Sequence, residues 1–180
     1  MTTRDMTFVA LFAALTAACA VFPPVQVPVV PAPIIVQNIG VMLAGSILGA
    51  RRGGLSLALF VVLVAVGMPI LTGWRGGIGV ILGPTGGFIL SWIPAAFVVG
   101  WMVERFWKRL GFWTLLLSNV VGGIVVVYAI GIPWLAFVAN ADLGKTVVGS
   151  AVFIPGDVIK AIVASFAALI VKRSYPLIQK

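Results

Sequence analysis

Six long apolar runs, parted by short basic, proline-rich or glycine-rich breaks, set the terms on which this chain can fold. They cover residues 6–22, 36–50, 55–71, 88–103, 112 to about 130, and 147–171. A helix crosses a bilayer with about 20 mostly apolar residues, and roughly 17 suffice when its flanks adapt. The 180 residues are 62% hydrophobic and only 9% charged, with a mean hydropathy of +1.21. Soluble domains carry roughly 25% charged residues, and a chain of this length could not hide so much apolar surface from water. The bilayer is its solvent. The expected fold is an all-α membrane protein with six transmembrane helices.

The breaks are informative. Pro23 and Pro24 end the first run and open the stretch PPVQVPVVPAP, which cannot continue a helix because each proline lacks a donor and crowds the preceding turn. Arg51, Arg52, Gly53 and Gly54 close the second run, Glu104 and Arg105 the fourth, and Pro133 is expected to close the fifth. Residues 72–87 contain seven glycines and read as an irregular loop. The sixth run is interrupted at Pro155-Gly156 and followed by Lys172-Arg173.

The basic residues test the span count. With the N-terminus inside, the cytoplasmic ends hold Arg4, Arg51, Arg52, Arg105, Lys108, Arg109, Lys172, Arg173 and Lys180, and the outer loops only Arg75 and Lys145. Nine against two is a strong positive-inside bias, and it requires six spans with both termini cytoplasmic. A missed span would scramble the alternation. The expected location is therefore the cytoplasmic (inner) membrane, with lipid as the surrounding partner. The same placement disposes of nucleic acid as a partner, despite a net charge of +8, since no basic stripe lies along one polar face. Arg4 and the first apolar run could pass for a secretory signal, but the run is long enough to remain as the first spanning helix.

Composition also removes whole classes of chemistry. Cys19 is the only cysteine and histidine is absent, so serine–histidine and cysteine–histidine catalysis are excluded and ordinary zinc ligands are lacking. No GxxxxGK[ST] phosphate loop is present, so energy for transport must come from another subunit. No resident cofactor is expected, and the chain is not expected to be an enzyme.

Two features stand out against the apolar background. Asp157 and Lys160 are the charged residues inside the sixth run. Each costs about 2.5–3.5 kcal/mol at the membrane centre on insertion scales, which marks such residues as functional candidates. Counting back from Lys172 at about 1.5 Å per residue sets Asp157 roughly 22 Å from the inner boundary, in the outer half of the membrane. Their spacing of three puts both on one helix face. A helix restarted after Pro155-Gly156 would turn its positive N-terminal dipole toward Asp157. The second feature is the glycine-rich loop carrying Arg75, where backbone can approach a ligand closely and the guanidinium can meet an anion. A third, weaker pattern is the small-residue spacing Ala10, Ala14 and Ala18, with Ala13 and Ala17 beside it, which suits either helix packing within the chain or docking of a partner helix.

Several segments together resemble the BioY family. Pro31-Ala32-Pro33 through Gln37, GVMLAG and the following Arg51-Arg52-Gly53 resemble the family's N-terminal part. GGIGVILGPTGG, from Gly76 to Gly87, is similar to its most distinctive segment. Tyr128, Gly131, Trp134 and Leu135 fit its fifth helix and outer loop, and PGDVIKA, from Pro155 to Ala161, fits its last helix. Nearly the whole chain is covered, in the same order. Asn119 and Ile34-Ile35 stand where other members are expected to differ.

The resemblance implies an S-component of an energy-coupling factor transporter, a six-helix bundle that holds biotin near its outer face. It implies as partners a transmembrane coupling protein, docked on the Ala10, Ala14 and Ala18 face, and paired ABC-type ATPase subunits; self-association of the chain is also open. Asp157 and Lys160 become the expected ligand contacts, Asp157 accepting from the ureido N–H groups. Gln37, Thr85, Gly86, Tyr128 and Asn119 are further candidates, with Arg75 for the carboxylate. The competing reading of the same residues is a stand-alone secondary carrier for a small vitamin-like or anionic solute. The absence of an internal sequence repeat weighs against two inverted halves.

Overall fold

The computed structural model describes residues 1–24, 35–174 and 178, and among these the chain is helical throughout, with a single bridge between Leu71 and Arg75. Most of the proline-rich stretch, including Pro31-Ala32-Pro33 and Ile34, lies outside the described residues, as does Lys180.

Helix α1 (Thr3–Ala18) begins at a capping box. The Thr2 hydroxyl accepts from the Asp5 N–H at 3.3 Å while the Asp5 carboxylate accepts from the Thr2 N–H at 2.9 Å, satisfying two otherwise orphaned donors. A 3₁₀ turn, Cys19–Val21, ends it before the prolines. Val9, Phe12, Ala13 and Thr16 face inward. Ala10, Leu11, Ala14, Leu15 and Ala18 are exposed.

The second run forms a helix shorter than expected, α2 (Ile39–Leu48), because Val36–Asn38 are drawn into a turn and Gly49, at φ +86°, reverses the chain. Its 10 residues span about 15 Å, half of a hydrocarbon core of about 30 Å. Helix α3 (Ala50–Val66) follows at once, its first N–H donating to Glu104 at 2.9 Å, and ends at Gly67 in the left-handed conformation typical of a helix stop. Arg52 pairs with Asp5 at 2.8 Å and ties α3 to α1.

The segment read as irregular, residues 72–87, contains a short helix, α4 (Ile78–Leu82), and already starts α5 (Gly86–Arg105). Its glycines concealed the apolar pentapeptide IGVIL. Helix α5 packs against both α2 and α3, and Phe60 and Trp92 meet there with ring centroids 5.7 Å apart. Close approach depends on Gly100, where any side chain would collide with the Gly49–Ala50 backbone.

The fifth run continues past its expected end. Helix α6 (Phe112–Val120), a π-helical stretch Val121–Val126 and α7 (Val127–Val138) form one rod through Pro133. A proline removes one donor, but packing on neighbouring helices can hold the rest of the ladder. Here Gly131 lets the Phe88 ring lie against the α7 backbone. The sixth run also differs in detail. Helix α8 (Leu143–Ser150), capped by Asp142, gives way to a 3₁₀ turn at Ala151–Phe153, and α9 (Ile154–Ser174) restarts with Pro155 in its first turn, where its missing N–H has no intrahelical partner to lose. The break thus precedes Pro155.

Among the described residues, four helical rods, Thr3–Val21, Gly86–Arg105, Phe112–Val138 and Leu143–Ser174, are long and apolar enough to cross a membrane; α3, at 17 residues, and α2 are shorter. Their outward faces carry Leu11, Val62, Phe97, Trp101, Trp113 and Phe137, all exposed, which water would penalise and lipid accepts.

Candidate ligand-binding site

A cavity opens where the start of α9 meets α5, α7, the loop between α3 and α4, and the turn leading into α2. Its volume of about 80 Å³ admits several waters or part of an organic ligand. Phe88, Ile89, Trp92, Val127 and Phe153 supply apolar wall. The polar wall includes Asp157, Lys160, Tyr128, Arg75, Gln37 and Thr85, so six of the residues singled out from sequence are brought together. Such a mixture, apolar with a few convergent polar groups, is typical of small-molecule sites.

Asp157 sits in the first turn of α9, where the helix dipole favours a carboxylate. Lys160, one turn on, donates to its Oδ1 at 2.7 Å and to the Ile35 carbonyl at 2.6 Å. The Tyr128 hydroxyl donates to Oδ2. With side-chain exposures of 7% and 12%, the carboxylate and ammonium form a pair shielded from lipid by protein. Each retains capacity: the ammonium has a third N–H, and carboxylate oxygens accept more than one donor.

Arg75 lies at the exposed rim. Its Nε donates to the Thr72 carbonyl at 3.4 Å, and among the described residues it has no carboxylate partner. Because Asp157 and Lys160 cancel, Arg75 leaves the cavity with one net positive charge.

Gln37 reaches the wall with its amide fully used. Its Nε2 donates to the carbonyls of Thr16 (2.9 Å) and Ile70 (2.7 Å), while its Oε1 accepts from the N–H and hydroxyl of Thr72 (3.0 and 3.2 Å). It clamps α1 and the α3–α4 loop to the start of α2. Gly86 is buried outside the cavity lining, where any side chain would strike the Ile81 carbonyl; its smallness serves the α4–α5 turn. Asn119 is also placed elsewhere. It is buried between α2, α6 and α9, accepting from Ser46 at 2.8 Å and donating to Ser165 at 3.0 Å.

Thr72, Trp92, Phe88, Phe153 and Asn38 line the cavity without having been picked out from sequence. Two consecutive carboxamides, Gln37-Asn38, inside an apolar stretch were the available signal for Asn38. The aromatics carried none, since any spanning helix contains such residues.

The two most distinctive sequence segments form walls of this one cavity: Thr85 of GPTGG, whose loop is tied to α7 by the Trp134 indole donating to the Gly83 carbonyl at 2.9 Å, and Asp157 and Lys160 of PGDVIKA. The BioY family model matches residues 1–177. The chain belongs to the BioY family. It is similar to the biotin transporter BioY of Rhizobium etli, with 45% identity covering 99% of this chain and 98% of that protein. Identity to the Rhodobacter capsulatus biotin transporter BioY is 40%, over 96% and 95% of the two chains. The crystal structure of an S-component for biotin from an ECF-type ABC transporter matches with a TM-score of 0.93 and 31% identity, covering 98% of this chain and 97% of that one. The all-helical bundle of this BioY-family chain is thus an S-component fold.

Proposed function

We propose that this BioY-family chain captures biotin at the cavity and delivers it as the S-component of an ECF-type transporter in the cytoplasmic membrane. The observation that carries the reading is the buried Asp157–Lys160–Tyr128 cluster, set beside an apolar wall within a membrane-embedded fold. Biotin's ureido ring offers two N–H donors and one carbonyl acceptor. Asp157 accepts from the ureido, the spare Lys160 N–H serves the carbonyl, and Phe88, Trp92 and Phe153 cover the thiophane ring and valeryl chain. Arg75 pairs with the carboxylate, matching the single positive charge of the cavity to a monoanion.

The proposed topology has six crossings with both termini cytoplasmic. Transport requires a transmembrane coupling protein and ABC-type ATPases. The exposed Ala10, Ala14 and Ala18 face of α1 is the docking surface, because small side chains let another helix approach closely in lipid.

Equilibrium titration of the purified chain with biotin, and with desthiobiotin as comparator, tests the ligand. Saturable biotin binding in detergent is expected. Biotin uptake into vesicles by the chain alone, abolished by collapsing ion gradients, would instead identify a secondary carrier.

A further inference from the structure

We infer that the side-chain carbonyl of Asn38 is a specificity-determining acceptor for an N–H of the bound ligand; this rests on the reading of the cavity as a biotin site. Asn38 lines the cavity and is 6% exposed. Its Nδ2 donates to the Gly123 carbonyl at 3.4 Å, and its buried Oδ1 has no partner among the described residues.

Three points single this atom out. First, its orientation is determined by chemistry: a carbonyl can receive only from the amide's NH₂ end, so the Gly123 contact directs the oxygen away from that carbonyl. Second, the other buried side-chain atoms without a partner are the hydroxyls of Ser56 and Ser150, neither of which lines the cavity. A hydroxyl can rotate and donate to its own helix, whereas an amide oxygen can only accept. Third, the neighbouring Gln37 has both ends of its amide engaged, so an unpaired carboxamide is not the general condition of this turn.

A ureido ring points its two N–H groups in different directions on either side of the carbonyl. Asp157, already receiving from Tyr128 and Lys160, is placed for one of them. The second needs another acceptor. Among the described residues, Asn38 lines the wall and its buried Oδ1 lacks a donor. The π-helical stretch Val121–Val126 contributes by presenting the Gly123 carbonyl that holds the amide in place, in keeping with the frequent occurrence of such stretches at functional sites. Loss of a ligand N–H would leave this acceptor buried and unpaired, which is the strongest form of rejection a polar site can apply.

The test is a cycle between protein variants and ligand analogues. Biotin and its two mono-N-methylated ureido derivatives are titrated against the wild-type chain and Asn38→Ala. The wild type should reject both derivatives by about tenfold or more. In Asn38→Ala, biotin should weaken by about tenfold, and the penalty for one derivative should fall to within about threefold while the other keeps its full penalty. Equal weakening of all three ligands by Asn38→Ala, with both penalties intact, would overturn the assignment.

A second measurement does not depend on a folded variant. The chain has three asparagines, and Gln37-Asn38 is its one Gln–Asn pair, so selective labelling assigns Asn38. Its side-chain carbonyl carbon should shift on adding biotin; an unmoved resonance at saturation overturns the proposal. Failure of the wild type to bind biotin at all would remove the functional reading itself, a result separate from wild-type binding with no response at Asn38.

Discussion

Two buried polar clusters join α9 to the rest of the bundle, and they differ in how completely they are satisfied. Farther along α9 and away from the cavity, Ser46, Asn119 and Ser165 form the inner cluster, a chain across α2, α6 and α9 ending with the Ser165 hydroxyl on the Ala161 carbonyl at 2.6 Å. At the start of α9, Asp157, Lys160 and Tyr128 form the outer cluster, which borders the cavity and retains hydrogen-bonding capacity. Both clusters are polar, buried and costly to place in a membrane. The inner one uses its polarity to hold helices together. The outer one keeps part of its polarity for a guest. Burial of polar groups alone therefore does not identify a binding site; unspent capacity beside open space does.

The largest test of this contrast is Asp157→Ala, which leaves Tyr128 without its acceptor and the Lys160 ammonium without its counter-charge beside a low-dielectric cavity. Truncating one partner of a buried charge pair typically costs about 2–5 kcal/mol, so biotin affinity in detergent should fall by at least about 30-fold. Near-wild-type affinity would refute the outer cluster's role. Next is Arg75→Gln at the rim: biotin should bind about tenfold or more weakly, in line with loss of a charge-assisted contact, while biotin methyl ester should lose little. A similar loss for both ligands would show that Arg75 shapes the loop and does not meet the carboxylate.

The inner cluster should behave in the opposite sense. Asn119→Ala leaves two serines without a side-chain partner and should lower stability by about 1–3 kcal/mol, seen as a lower midpoint of thermal unfolding, with the biotin dissociation constant within about twofold of wild type. Lost binding with unchanged stability would erase the distinction between the clusters. Ser46→Ala should give the smallest effect, about 1 kcal/mol of stability and no change in binding, because Asn119 keeps its bond to Ser165.

Much of the outer cluster was legible in the sequence. A carboxylate and an ammonium three residues apart in an apolar run advertise themselves, and an arginine in a glycine-rich loop is nearly as visible. Asn119 shows the limit of that logic. It too is a polar residue inside a spanning run, yet its partners lie 73 and 46 residues away in sequence and engage both ends of its amide. Gln37 and Asn38 make the same point at closer range. They are adjacent and similar in chemistry, but one is fully engaged and the other carries an open acceptor.

Hydropathy, run length and charge placement are local properties of residues, so the sequence by itself determined that this chain dissolves in lipid, that it is helical, and that Asp157 and Lys160 must share a protected pocket. Other features were decided by the tertiary structure alone: that α2 is only 10 residues long, that one rod continues through Pro133, and that Asn119 has both ends of its amide engaged while Asn38 does not. Each depends on what distant segments present at the point of contact. A proline is tolerated or an amide satisfied only through neighbours supplied by the packed bundle.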